Sequence, residues 1–128
     1  MPFTLRYQDG LIRVRLQGTM SAADLAGLAA AAQEAEDSLS PLPDYLTDLT
    51  GVTRLDIGFA QVFELAQRRL ERVFPNSFRS ALVAGTPAQL GIARMYQTLN
   101  DHPQVTVRIF PDVAGALAWL AEPPPSVD

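Results

Sequence analysis

The sequence predicts a single α/β domain built on a mainly parallel five-stranded sheet, and three observations lead to this fold class. Two strands with alternating polarity flank a turn-forming Asp9-Gly10 pair near the N-terminus. Beyond them, apolar patterns with helical spacing alternate with short apolar strands. The 128 residues, 48% of them hydrophobic, are enough for one core. Because strands separated by helices pair in parallel through right-handed crossovers, the expected order is ββαβαβαβα.

An N-terminal hairpin is the first predicted element. Apolar and polar residues alternate over 3–8 and again over 11–17. Asp9 and Gly10 between them tolerate the positive φ angles that a two-residue type I′ turn requires. The hairpin is therefore expected to form an antiparallel edge of the sheet.

The register of this hairpin places three arginines on one face of the sheet. Arg6 is expected to lie opposite Arg13, and Arg15 then points to the same solvent face. Like charges that face each other are destabilising, so an acidic partner could relieve them. Alternatively, this candidate basic face only keeps an exposed sheet edge from aggregating, which is the interpretation we favour.

Capping signals predict three of the four helices. Ser21 with Asp24 opens the first helix, Thr86 with Gln89 the third, and Asp112 the last. The second helix is expected over about 57–74, where its apolar residues form one stripe. That stripe consists of Phe59, Val62, Phe63, Ala66, Leu70, Val73 and Phe74.

Three further strands are predicted at 44–49, 78–84 and 105–109. The first, second and last strands of the chain alternate in polarity, whereas strands covered on both sides are continuously apolar. Helices are therefore expected mostly on one face of the sheet. The domain is expected to span residues 1–121, and the Pro-rich residues 122–128 are expected to form a disordered tail.

Composition excludes several classes of function. The absence of cysteine excludes disulfides, thiol nucleophiles and thiolate metal sites. A net charge of −4 opposes binding to nucleic acid or to anionic membranes. No signal peptide or membrane-spanning stretch is visible, so we expect a soluble, cytoplasmic protein. The sole histidine, His102, is interpreted as a turn residue, and no phosphate-binding loop or catalytic motif occurs. The sequence thus predicts a protein that is not an enzyme and carries no cofactor or metal.

The chain resembles the STAS domain (sulfate transporter and anti-sigma factor antagonist), in particular its SpoIIAA-like branch. The resemblance covers about residues 3–121, in the same ββαβαβαβα order. Its most specific parts are LVAG at 82–85 ahead of LGIARM at 90–95, VRIF at 107–110 ahead of ALAWL at 116–120, and TDL at 47–49. The resemblance implies the SpoIIAA-like fold, which is shared with the lipid-binding CRAL-TRIO domains.

Signalling members of this family carry a phosphorylatable Ser or Thr in an Asp-Ser-Ser-Gly-like turn before the second helix. Laid on that turn, Asp56 matches the family's Asp, whereas Ile57 and Gly58 occupy the two hydroxyl positions and Phe59 replaces the Gly. The resemblance therefore implies a module without the phosphorylation switch.

Asp48 and Asp56 are candidates for a cation-binding site. Both are expected near the carboxyl end of the third strand, where two carboxylates could hold a hard cation. Asp56 is equally well placed to cap the second helix, and we favour the cap. No metal site is predicted.

A candidate groove for a ligand or partner is expected between the second and third helices. Its predicted members are Asp56, Phe59, Phe63, Leu90 and Arg94. Leu65, Leu90 and Ala93 lie off the main helical stripes, so these helices could bound a small apolar pocket, as the CRAL-TRIO resemblance implies. Plain core packing or a contact with a second copy is the alternative.

The sequence therefore predicts a non-enzymatic binding or regulatory module that acts through a protein partner, with a small carrier of a lipid or other hydrophobic ligand as the alternative.

Overall fold

The structure of the protein, a computed structural model, describes residues 3–123. The expected order of strands and helices is confirmed. The elements are β1 (Phe3–Gln8), β2 (Leu11–Ser21), α1 (Ala22–Ser38), β3 (Asp44–Asp56), α2 (Phe59–Leu70), β4 (Phe78–Val83), α3 (Pro87–Leu99), β5 (Val105–Phe110) and α4 (Val113–Ala121). None of the described helices is both long enough and apolar enough to cross a lipid bilayer.

The five strands form one sheet in the order β1-β2-β3-β4-β5. Only β1 and β2 pair antiparallel, and the other neighbours pair in parallel. Asp9 and Gly10 adopt φ angles of 55° and 75°, as the type I′ turn requires. The predicted register is confirmed, because Arg6 pairs with Arg13 and neither side chain enters the core.

Strands β2 and β3 are longer than the sequence patterns indicated. The polarity pattern of β2 breaks at Gly18, which has a φ of +71°, yet the strand continues to Ser21. The pairing with β3 absorbs the irregularity through two register shifts, and Ser21 pairs with Asp56 at the end. The predicted strand at 44–49 was therefore too short, because its second half is stabilised by pairing with the extension of β2.

The caps of three helices form as predicted. Ser21 Oγ accepts a hydrogen bond from the backbone of Asp24, and Asp112 caps α4 through Gly115. Thr86 and Gln89 form a capping box at α3, which strengthens the crossover from β4.

Helix α2 differs from the prediction at both ends. Its N-cap is Gly58, not Asp56, because β3 continues to Asp56 and the chain turns only afterwards. The helix ends at Leu70 instead of near residue 74, and Val73 beyond it is 91% exposed. Phe74 nevertheless packs in the core, from the loop that leads into β4.

Two hydrophobic cores lie on opposite faces of the sheet. Three helices, α1, α2 and α3, cover one face, and α4 alone covers the other, which confirms the expected one-sided arrangement. The smaller core beneath α4 is shielded from solvent: Leu46, Ala81, Val83 and Ala116 are at most 2% exposed.

Arg79 ties α4 to the sheet. Its Nε and Nη2 atoms donate to the Asp44 carboxylate at 3.2 and 3.0 Å. The guanidinium also donates to the carbonyls of Trp119, Leu120 and Glu122 at the end of α4. All five guanidinium N–H donors are thus used. The predicted disordered tail lies largely outside the described residues, which end at 123.

Candidate binding cavity and exposed surface

A cavity of about 130 Å³ lies between the sheet and helices α1, α2 and α3. Helix α2 packs mainly against α3 and α1, and less against the strands. It thereby covers the cavity, with Val62 and Leu65 pointing into it from above and Leu49 and Leu82 forming the floor. The surface of the lining is mostly apolar.

The composition of α1 explains why this space is not filled. Alanine supplies eight of the 17 residues of α1. Ala29 and Ala32 of this helix line the cavity, and their methyl groups are too short to reach across it. If it were closed and held nothing, a cavity of this volume would cost about 3 kcal/mol at ~24 cal/mol per Å³. Native interiors are otherwise close-packed, so the cavity is a feature to be explained.

One end of the cavity carries a buried polar network. The Glu36 side chain, 1% exposed, accepts hydrogen bonds from Arg69 Nη1 at 2.6 Å and from the Tyr45 hydroxyl. Arg72 approaches the other carboxylate oxygen at 3.8 Å. The arginine charge that faces the cavity is therefore already neutralised by Glu36.

Burial shifts the ionisation of the tyrosines at this end. Burial, together with the neighbouring Glu36 carboxylate, raises the pKa of Tyr45 above its usual value. Burial also raises the pKa of Tyr96, although the nearby Arg69 opposes the shift. Both phenols therefore stay protonated at neutral pH.

Two hydroxyl groups face the cavity from the sheet. Thr47 on β3 and Ser80 on β4 belong to its lining. Within residues 3–123 neither side chain makes a hydrogen bond to another protein group. Both hydroxyl groups are therefore available to a ligand.

The predicted groove members do not line this cavity. Phe59 and Phe63 stack on each other with a centroid distance of 5.6 Å, and they are 59% and 41% exposed. We call these two residues the aromatic pair. Both rings belong to the predicted apolar stripe of α2, but they point outward because Val62 and Ala66 occupy the buried side.

The other predicted groove residues have separate surroundings. Leu90 packs against the main core, and Arg94 is exposed on α3 without an ion pair in the described part of the chain. Ala93, expected off the main stripe, is 1% exposed and belongs to the core. Asp56 pairs with Arg54 at 3.0 Å on the surface. A groove that joins all five predicted residues stays a prediction.

Asp48 and Asp56 do not form a common site. Asp48 lies in the middle of β3 and accepts hydrogen bonds from the backbone and hydroxyl of Thr50. Asp56 lies eight positions beyond Asp48, which corresponds to about 26 Å of extended strand, so one cation cannot bridge the two carboxylates. Among residues 3–123, no three acidic or histidine side chains are grouped to hold a metal ion.

His102 has a structural role, as its turn position indicated. Its Nδ1 atom accepts a hydrogen bond from the backbone of Gln104, so Nε2 carries the proton and donates to the carbonyl of Arg72 at 2.6 Å. Both ring nitrogens are thereby used.

Gly58 lies at the position where the family that the sequence resembles has its phosphorylatable residue. It is the N-cap of α2, and its N–H donates to Gln61 Oε1 at 2.8 Å. Glycine offers no hydroxyl there. The absence of a phosphorylation switch stays a prediction.

Arg6, Arg13 and Arg15 lie on the sheet face that carries α4, on the two strands that α4 leaves uncovered. Arg13 approaches Asp9 at 4.0 Å, and Arg15 pairs in register with Asp48. A partner for this basic face stays a prediction.

The sequence left open a small apolar pocket bounded by α2 and α3, and two of the residues named for it, Leu65 and Ala93, line the cavity. Sequence reasoning missed the part that α1 plays and the polar end. Glu36, Tyr45 and Arg69 are 9 to 33 positions apart, and only the fold brings them together. The alanine content of α1 was the one available signal, since small side chains on a covering helix leave space beneath it.

Comparison with known proteins shows the fold. No protein-family model matches the sequence, and no curated protein matches it. Among solved structures, an uncharacterised DUF3478-family protein with a SpoIIAA-like fold from Shewanella loihica is 18% identical, with a TM-score of 0.62. The match covers 93% of this chain and 94% of that one.

A second similar structure is an anti-sigma factor antagonist from Mycobacterium paratuberculosis. It is also 18% identical, with a TM-score of 0.63, and the match covers 94% of this chain and 93% of the other. At this identity the likeness shows the fold alone. The chain has the SpoIIAA-like fold that its sequence predicted.

Proposed function

We propose that this chain is a non-enzymatic binding module of STAS type that contacts a partner protein through the start of α2, without phosphorylation. The observation that carries the proposal is the aromatic pair. Two stacked phenylalanines with 59% and 41% exposure are unusual on the surface of a small domain, and large exposed apolar groups mark contact sites. A partner protein would cover both rings.

The shared fold supports this proposal. The similar structure from Mycobacterium paratuberculosis is named as an anti-sigma factor antagonist, which regulates through another protein. In the family that the sequence resembles, the switch hydroxyl lies at the position of Gly58, directly before Phe59. A binding surface at the start of α2 would therefore lie at the regulatory end of the fold, with constitutive binding in place of a phosphate switch.

Replacement of Phe59 by Ser tests the proposal, with Val73→Ser as the matched control. Val73 is 91% exposed and lies beyond α2, so both variants remove an exposed apolar side chain. We expect Phe59→Ser to reduce the free energy of unfolding by about 1 kcal/mol or less, because only the stacking contact is lost. A partner cross-linked in cell extract by the wild type and by Val73→Ser should be lost with Phe59→Ser.

Three results would contradict the proposal. A partner that binds both variants equally would show that the aromatic pair is not the contact. Self-association in sedimentation velocity that Phe59→Ser abolishes would assign the surface to a second copy of the chain. A loss of 3 kcal/mol or more would mean that the ring is core, not surface.

The cavity favours a second function, that of a carrier for a small hydrophobic molecule. Ligand sites are concave and mostly apolar with a few polar groups, and the space beneath α2 fits that description. Native mass spectrometry of freshly purified protein tests this function directly. A carrier would retain a bound molecule, and consistently bare protein would contradict the carrier function.

A further inference from the structure

We propose that the cavity beneath α2 binds a neutral, ring-sized apolar molecule with at most one hydroxyl or carbonyl group, which enters between α1 and α2. This inference rests on the second proposed function and specifies its ligand. It depends on three observations: the volume of the space, the charge balance at its polar end, and the groove that leads to it.

The volume sets the size of the ligand. A dry protein cavity of about 150 Å³ accommodates benzene, and the space here is about 130 Å³. A single six-membered ring, or a branched chain of similar size, fills it. A lipid with long acyl chains does not fit within this volume.

The charge balance sets the ligand's polarity. Arg69 is the one cationic side chain in the lining, and the buried Glu36 already neutralises it at 2.6 Å. An anionic ligand would leave one negative charge uncompensated, and no carboxylate side chain belongs to the lining to balance a cationic one. A single neutral hydroxyl or carbonyl could bond to Ser80 or Thr47, whose side chains are free.

The seam between α1 and α2 provides the route. Leu25, Ala29 and Leu65 line both the cavity and the surface groove between these helices. Leu65 and Ala29 are half-buried, so the groove reaches the cavity without crossing a strand. Small displacements of α2, which packs only lightly on the sheet, would widen this route.

Methyl-detected NMR with three probe molecules tests the inference. Benzene, phenol and benzoate each contain one six-membered ring, but only benzoate is charged at pH 7. We expect saturable shifts of the Val62 and Leu82 methyl signals with benzene and phenol, and at least tenfold weaker binding of benzoate. Intermolecular nuclear Overhauser effects from the ring protons to the same methyl groups should place the ring beneath α2.

A matched pair of variants tests the location. Ala29→Leu extends a side chain into the cavity and its entrance, and should weaken benzene binding at least tenfold. Ala30→Leu places the same side chain on the exposed side of α1 and should leave binding unchanged. The Overhauser contacts in the unmodified protein keep the location testable if Ala29→Leu fails to fold.

Several outcomes would overturn the inference: no saturable shift with either neutral ring, equal binding of benzoate, or equal effects of the two leucine variants. Its failure is distinguishable from that of the carrier function. Neutral rings that bind while the purified protein is always bare would leave the site standing without a carrier role. A co-purified molecule without ring binding would leave the carrier and refute the ligand class.

Discussion

The two faces of the sheet differ in how the helices pack against them. Beneath α4, four side chains are at most 2% exposed. All guanidinium N–H groups of Arg79 donate hydrogen bonds to Asp44 or to carbonyls at the end of the helix. Beneath α2 the same sheet faces a cavity of about 130 Å³. No residue of α4 belongs to the lining of this cavity, so the space is a local property of the face that α1, α2 and α3 cover.

Removal of the Arg79 side chain should produce the largest effect. Arg79→Ala removes the guanidinium from the Asp44 carboxylate, which keeps only the hydrogen bond from the backbone N–H of residue 79. It also takes a donor from the last carbonyls of α4, in a position where 13% and 21% of the Arg79 and Asp44 side chains are exposed. We expect a loss of about 3 kcal/mol in the free energy of unfolding, measured by urea denaturation.

Arg108→Ala is the control for this change. Arg108 is exposed, and its guanidinium lies over the rings of Phe110 and Trp119 at 5.3 and 5.8 Å. A cation–π contact at an exposed site contributes about 0.5–1 kcal/mol. Equal losses in the two variants would mean that Arg79 does not fix α4 to the sheet.

A larger side chain should change the stability of the protein differently on the two faces of the sheet. Ala81 is 0% exposed in the core beneath α4, so Ala81→Leu should destabilise the protein by about 2 kcal/mol through overpacking. Ala29→Leu adds the same volume at the cavity and should be neutral or stabilising by about 1 kcal/mol. Calorimetric unfolding measures both, and equal destabilisation would contradict the presence of usable space beneath α2.

The polar end of the cavity should respond to alkaline pH. The raised pKa of Tyr45 means that the unfolded chain, with an ordinary pKa near 10, releases this proton first. The associated stability is fully present below pH ~10 and is lost as the pH rises further.

Tyr45→Phe sharpens this expectation. It removes the hydrogen bond to Glu36 and should cost about 1 kcal/mol at pH 7. The Tm of the variant should fall less steeply than that of the wild type between pH 9 and 11. Identical slopes would show that Tyr45 ionises as readily in the folded protein as in the unfolded chain.

The fold could be predicted from the sequence because most of the patterns that indicate it are local. Asp9-Gly10 specifies a hairpin, and Thr86 with Gln89 specifies a helix start, whatever surrounds them. The cap predicted at Asp56 was wrong because the length of β3 depends on β2, whose extension passes through the irregularity at Gly18. Local patterns do not contain that pairing.

The candidate site was harder to predict from the sequence, because it also depends on contacts between distant parts of the chain. Phe59 and Phe63 carry the helical spacing of a core stripe, and only the placement of α2 turns them outward. The cavity is formed by three helices and three strands together, and the alanine content of α1 indicates space beneath this helix without showing where the space lies or what lines it.

Xenon provides the most direct measurement of the difference between the two faces, because it occupies dry apolar cavities without any specific polar contact. Crystals of the protein under xenon pressure should show one ordered xenon atom beneath α2, in contact with Val62 and Leu82, and none beneath α4. A crystal in which side chains of α1 and α2 close the space beneath α2, with no xenon there, would contradict the account.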